Sequence, residues 1–273
     1  VGNLVNSIIF LVLDSARFDH LKSASVPHIK KIGKIEKRYS YASWTSPSHH
    51  TYLMGLLPHC SPKKVFASET YYSDLMSWGV RTGVKPFQFN SFLPEFCLPK
   101  VLKTLGYQTH AIVSLPVLNP HAGFSRFFDK YELMPKHDEF HKIVKKVKFG
   151  TDPSFYFLNL GESHYPYSFP GCSGARDLPR LHGLNGTIKH RSDLSQSVRF
   201  FAPRDMRRMK EMQISAIEYV DSIIGTLFNK APSGTRVIIT SDHGELFGED
   251  GYFGHGPIFH EKAFEIPFVE GIL

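Results

Sequence analysis

The chain has 273 residues, 42% of them hydrophobic and 21% charged, the composition of a globular protein large enough to bury a substantial core. Its net charge is +7 with all 15 histidines taken as neutral, which suits either a solvated basic surface or an anionic substrate. No apolar run reaches the roughly 18 residues of a membrane span, and the basic runs 142–148 and 204–210 read as solvated helix faces without the aromatic partners of a nucleic-acid module.

In chain order, Ile8–Leu13 is a continuous apolar run cut off by an acid, the pattern of a buried parallel strand. Next comes Ser43-Trp44-Thr45-Ser46-Pro47-Ser48-His49-His50, a hydroxyl-rich entrance to a helix with Pro in its first turn. A helix-like stretch at 96–105 and the turn Gly106-Tyr107 lead to a weaker strand at 110–114. Residues 155–160 and 237–240 are further buried strands. Between those two, apolar residues from Met209 to Leu227 recur at helical spacing over 204–229 and stop at Ala-Pro-Ser-Gly. Ile266-Pro267-Phe268-Val269 reads as one more strand. Strands alternating with helices predict an α/β fold, a mainly parallel central sheet with helices on both faces, in one domain over 1–273. Residues 60–95 and 166–203, rich in Pro, Gly, Ser and aromatics, read as loop-rich insertions. The cysteines Cys60, Cys97 and Cys172 form no C-x-x-C pair, so free thiols are expected. These residues hold no signal peptide or membrane segment, and the expected location is the cytoplasm. The Asn185–Thr187 sequon carries meaning only for an exported chain.

Parallel sheets bind ligands at the carboxyl ends of their strands. The first strand runs into Asp14-Ser15-Ala16-Arg17, the middle one into Gly161-Glu162-Ser163-His164, and the last strong one into Asp242-His243-Gly244-Glu245. A lone Asp after a strand is usually a helix cap, but two carboxylates and a His at strand ends suit a divalent cation. Zinc or manganese leads, with calcium or magnesium behind. Such a cation would make a Thr hydroxyl acidic enough to attack, and the free N–H groups of the helix start would favour an incoming anion.

Asp14, Thr45-Ser46-Pro47-Ser48 with Leu53-Met54-Gly55, and Ser241-Asp242-His243-Gly244-Glu245 resemble, in order, the sulfatase branch of the alkaline phosphatase superfamily. Leu105-Gly106-Tyr107, His164-Tyr165-Pro166 and Phe253-Gly254-His255-Gly256 extend the resemblance over nearly the whole chain. It implies Asp14, Asp242 and His243 as metal ligands and Thr45 as a nucleophile that also touches metal. It places His164 and His255 against the transferred group, and implies one metal, with a second site open to Glu162, His164 and His255. Sulfatases carry Cys or Ser, oxidised to formylglycine, where this chain has Thr45, and Arg where it has His49. Thr45 resembles instead the phosphodiesterase and phosphoethanolamine- or glycerolphosphate-transferring members. The family's acid after the first Asp is Ser15 here, and the fold is expected without the C-terminal subdomain of larger relatives.

The expected activity is therefore a metal-dependent hydrolase or transferase acting on a small anionic phosphate ester through phospho-Thr45. A sulfatase working without formylglycine and a silent anion-binding domain are the alternatives. Arg17 is open between the substrate anion and Asp19, and Asp221 reads as a structural partner.

Overall fold

The computed structural model describes residues 6–60, 67–84, 97–178, 185–186 and 201–273. Its centre is a seven-stranded sheet in the order β2-β10-β7-β1-β5-β3-β4. The strands are β1 (Ile8–Leu13), β2 (Glu36–Tyr39), β3 (Gln108–Val113), β4 (Lys130–Leu133), β5 (Ser154–Leu160), β7 (Arg236–Thr240) and β10 (Glu265–Ile272). β7, β1, β5, β3 and β4 run parallel, while β10 is antiparallel to both β7 and β2. A second, three-stranded sheet is made of β6 (Asn185–Gly186), β9 (Tyr252–Gly254) and β8 (Leu246–Phe247).

β1 shows why the continuous apolar run was the right signal. Ile8, Phe10 and Val12 enter one core with Tyr52, Trp78 and Leu102, and Ile9, Leu11 and Leu13 enter the other with Leu21, Ile143 and Ile217. With helices on both faces, no residue of the strand meets water, so no polar alternation survives. The long helix is Pro203–Lys230, close to its expected bounds, and the 96–105 helix is Leu98–Thr104. The basic run at 142–148 lies largely on the helix Phe140–Lys146, as expected for a solvated face.

One correction concerns 60–95, expected as loop but containing the helix Ala67–Thr82. Its apolar side chains split between faces: Leu75 and Trp78 are buried, while Tyr72, Met76 and Val80 are exposed, which blurs any helical stripe. The helix is docked by polar bonds, with Trp78 Nε1–H donating to the Gly55 carbonyl at 2.9 Å and Leu57 N–H donating to Asp74 at 2.9 Å. Residues 166–178 are irregular as expected; much of the rest of that insertion, including Thr187 of the sequon, lies outside the described residues. Short edge strands β2 and β4 escape the sequence reading because they are charged and half exposed. No described helix is long and apolar enough to cross a membrane.

Asp221 on the long helix caps the helix Pro27–Ile32 from outside. Its Oδ1 accepts from Ile29 N–H at 2.8 Å and its Oδ2 from His28 N–H at 3.2 Å. These are free donors of a helix start whose own N-cap, Val26, has no side-chain acceptor. Asp221→Ala strands both in the core and is expected to cost about 1–3 kcal/mol in urea unfolding. Nearby, His20 is buried with Nδ1 2.6 Å from Gln213 Oε1, and burial, with Arg17 beside it, pushes its pKa down to about 4. The unfolded chain takes up this proton near its ordinary value of about 6.5, and the folded protein only near 4. Stability is therefore lost as pH falls through that window, by up to about 1.4 kcal/mol per pH unit. His20→Gln is expected to flatten this part of the profile, read as the urea midpoint between pH 4 and 6.5.

Candidate active site

Three strand ends and one helix start converge. Asp14 follows β1, Asp242 and His243 follow the adjacent β7, and Thr45 begins the helix Thr45–Leu53. Asp14, Asp242 and His243 each offer a ligand atom within 4.8 Å of the others, and all three are buried. His243 Nε2 lies 3.3 Å from Asp242 Oδ2, 3.9 Å from Asp14 Oδ1 and 3.2 Å from Thr45 Oγ1. His243 Nδ1–H donates to the Gly244 carbonyl at 2.9 Å, so a neutral ring turns its Nε2 lone pair toward both carboxylates. Gly244 is needed here, since a β-carbon on it would meet the Lys262 carbonyl oxygen at 2.0 Å.

Electrostatically this is an incomplete arrangement. Burial, and then the neighbouring Asp242, push Asp14 up to about 7; burial pushes Asp242 up to about 6. Burial drives His243 well below its ordinary value, so the imidazole supplies no compensating charge. Asp242 Oδ2 is buried without a hydrogen-bond donor. An orphaned carboxylate oxygen, a second carboxylate and an oriented imidazole lone pair are the donor set of a zinc- or manganese-type cation. The residues fit that group.

The shell behind them is polar and buried. Asn159 Nδ2–H donates to Asp14 Oδ2 at 2.9 Å, and Ser163 Oγ–H to the Asp14 carbonyl at 2.8 Å. Ser15 N–H donates to Asp242 Oδ1 at 3.1 Å and Ser15 Oγ–H to Asp14 Oδ1 at 3.2 Å, so the residue replacing the family's acid steadies both carboxylates. Ser15 does this at φ 60°, a left-handed conformation that strains a non-glycine residue. Gln213 on the long helix donates to the carbonyls of Ser15 and Ser163, both at 3.0 Å. His49, where sulfatases have Arg, is fully buried; its Nδ1–H donates to the Thr45 carbonyl at 2.8 Å and its Nε2 lies 3.2 Å from Asn159 Nδ2.

Thr45, His164 and His255 line one cleft of about 390 Å³. The His164 and His255 ring centres are 5.2 Å apart, and His255 lies 4.2 Å from His243. Their surroundings differ. His164 Nδ1–H donates to the Tyr165 carbonyl at 2.8 Å, and burial keeps its pKa below the ordinary value. Burial also opposes charge on His255, but Glu245, 3.1 Å from its Nδ1, outweighs that and raises its pKa.

Thr45, His164 and His255 line this cleft, and Asp14, Asp242 and His243 form the cluster with which Thr45 is in contact through His243. Glu162, expected as a spare ligand, joins neither: its Oε1 accepts from Phe140 N–H at 2.7 Å, beside Asp138 and Glu139. Arg17 is taken up by Asp19 and Glu249. Asn159 and Gln213 escaped the sequence reading. The available signal was one amide in the apolar run Phe-Tyr-Phe-Leu-Asn-Leu, and one on the buried face of the long helix. Asn159→Ala is expected to weaken zinc binding about 10–100-fold against a chromophoric chelator, with the far-UV circular dichroism unchanged.

Residues 6–269 match the family model described as sulfatase. No curated protein matches the chain by sequence. Among solved structures it resembles the zinc complex of the C-terminal periplasmic domain of EptC from Escherichia coli, at 14% identity and TM-score 0.57, covering 99% of this chain and 74% of that one. The soluble domain of lipooligosaccharide phosphoethanolamine transferase A from Neisseria meningitidis aligns at 15% identity and TM-score 0.55, over 100% of this chain and 78% of that one. BT1596, a 2-O GAG sulfatase, aligns at 13% identity and TM-score 0.62, over 98% and 64%. By its matched length and its mostly parallel sheet, this chain belongs to the sulfatase family of the alkaline phosphatase superfamily.

Proposed function

We propose that the protein is a metal-dependent hydrolase or transferase of phosphate esters that works through a phospho-Thr45 intermediate. The observation carrying this is Thr45 Oγ1 at the start of a helix, 3.2 Å from Nε2 of His243, a member of the buried Asp14, Asp242 and His243 cluster. Support also comes from the folds it resembles, which include two named phosphoethanolamine transferases and a zinc complex of the periplasmic domain of EptC from Escherichia coli. Formylglycine chemistry is disfavoured because the methyl on the Thr45 β-carbon prevents oxidation to an aldehyde.

Asp14, Asp242, His243 and Thr45 would hold the cation. When bound, it supplies a Lewis acid that lowers the hydroxyl pKa and offsets phosphoryl charge. Thr45 Oγ1 attacks phosphorus in line, its proton passing through solvent to the leaving oxygen, and the Thr45–phosphorus bond forms as the bond to that oxygen breaks. His255, backed by Glu245, donates Nε2–H toward an equatorial oxygen. His164, kept neutral with Nδ1–H on the Tyr165 carbonyl, presents an Nε2 lone pair. That nitrogen takes the proton of the water or alcohol that displaces Thr45 from phosphorus, and the proton returns through solvent to the departing Thr45 oxygen. The same steps give hydrolysis with water and transfer with an alcohol.

The test is the protein loaded with zinc or manganese and offered 4-nitrophenyl phosphate, bis(4-nitrophenyl) phosphate and 4-nitrophenyl sulfate. Phosphate-ester turnover and a phosphorylated Thr45 in peptide mass spectra are expected, with Thr45→Ala lowering kcat at least about a thousandfold while still binding metal. Turnover of the sulfate alone would make it a sulfatase without formylglycine. Stoichiometric metal with no turnover of any ester would leave an anion-binding domain.

A further inference from the structure

The cleft that Thr45, His164 and His255 line is also lined by large apolar groups. Trp44, Leu115, Pro116, Val117, Tyr165 and Pro257 come from the helix entrance, the segment after β3, the segment after β5 and the turn after β9. Trp44 is 39% exposed and Val117 52% exposed, although both line the same cleft as buried Thr45. Large apolar side chains standing in water next to a catalytic nucleophile give up burial energy unless something covers them. Charge complementarity among the described lining residues favours an uncharged cover over a second anion. In a chain of net charge +7, none of the described residues lining this cleft is Lys or Arg, and Glu245 adds a carboxylate. His49, at the family's Arg position, is fully buried and turned to Asn159 and the Thr45 carbonyl, so it presents no cation either.

We propose that this wall is a subsite for an uncharged apolar group, aryl or alkyl, carried by the substrate on the same phosphorus that Thr45 attacks. The subsite rests on the phosphoesterase reading of Thr45 and adds the class of the organic group. It selects against substrates bearing a second phosphate, sulfate or carboxylate near the reacting one. Trp44, next to the nucleophile in sequence, supplies an aromatic face, and Val117 with Pro116 supplies aliphatic surface in the same cleft. With Trp44 at the N-cap of the Thr45 helix, the segment that positions the nucleophile also reads the group attached to phosphorus.

Phosphonates test this directly, because they have no leaving group and their organic part alone varies. Methyl-, hexyl-, phenyl- and 2-carboxyethylphosphonate are compared as competitive inhibitors of 4-nitrophenyl phosphate turnover by the zinc-loaded protein. Hexyl- and phenylphosphonate are expected to bind at least about tenfold tighter than methylphosphonate, and 2-carboxyethylphosphonate no tighter. Val117→Asp, a change on a half-exposed side chain that spares the core, is expected to reduce that preference at least about fivefold, and Trp44→Ala to do the same. Equal inhibition constants across the series, or tightest binding of the carboxyethyl compound, would overturn the subsite while leaving the phosphoesterase reading intact. An unchanged preference in both variants would overturn the assignment of the wall. Should no phosphate ester turn over, the same phosphonates are titrated by calorimetry: the apolar preference there keeps the subsite and sinks only the chemistry.

Discussion

Two carboxylates buried at the ends of neighbouring strands, facing an imidazole lone pair, form the constraint around which the molecule is arranged. Asp14 and Asp242 repel one another in a medium that solvates neither, and the nitrogen facing them adds a third electron pair. Hydrophobic residues of similar volume would pack there at lower cost. The arrangement persists because the surroundings over-determine it: Asn159, Ser15 and Ser163 aim donors at it, and Gln213 clamps the two loops that carry Ser15 and Ser163. The positive φ of Ser15 is part of that cost. A divalent cation held there would convert the whole from repulsive to cohesive and would tie folding of the site to metal binding.

The parallel sheet makes this convergence possible. β1 lies between β5 and β7, so the segments leaving their carboxyl ends emerge side by side. The Thr45 helix is tied to the same edge by Tyr52, whose hydroxyl donates to the Ser241 carbonyl at 2.6 Å. His255 arrives from the small sheet, just after β9, and is backed by Glu245. The two cleft histidines, alike in sequence, are thereby given different chemistry. A backbone carbonyl and burial leave one neutral, and a buried carboxylate holds the other toward its charged form.

His49 illustrates how a departure from the family pattern becomes structural. A guanidinium at that position would bring a fixed charge and five donors. The imidazole instead fits in the core, donating back to the Thr45 carbonyl four residues earlier and meeting Asn159. Among the described residues lining the cleft, positive charge then falls to His255, beside apolar groups such as Trp44 and Val117.

The sequence by itself determined the sheet core and the identity of the chemical groups. Continuous apolar strands at Ile8–Leu13 and around β5 and β7 can be buried on both faces only in an α/β layer, and a strand-end Asp, Asp-His pair and Thr-rich helix start keep their identity whatever the loops do. Tertiary structure decided the partners. Glu162 and His164 follow the same strand two residues apart, yet one is spent on the Phe140 amide and the other lines the cleft. The helix Ala67–Thr82, with apolar residues on both faces, was fixed as a helix by docking rather than by periodicity. Asn159 and Gln213 became supports of the site only through contacts with residues 145 and 198 positions away. The physical reason is range: burial periodicity is written along the chain, whereas a hydrogen-bond partner is chosen by which segments the sheet brings together.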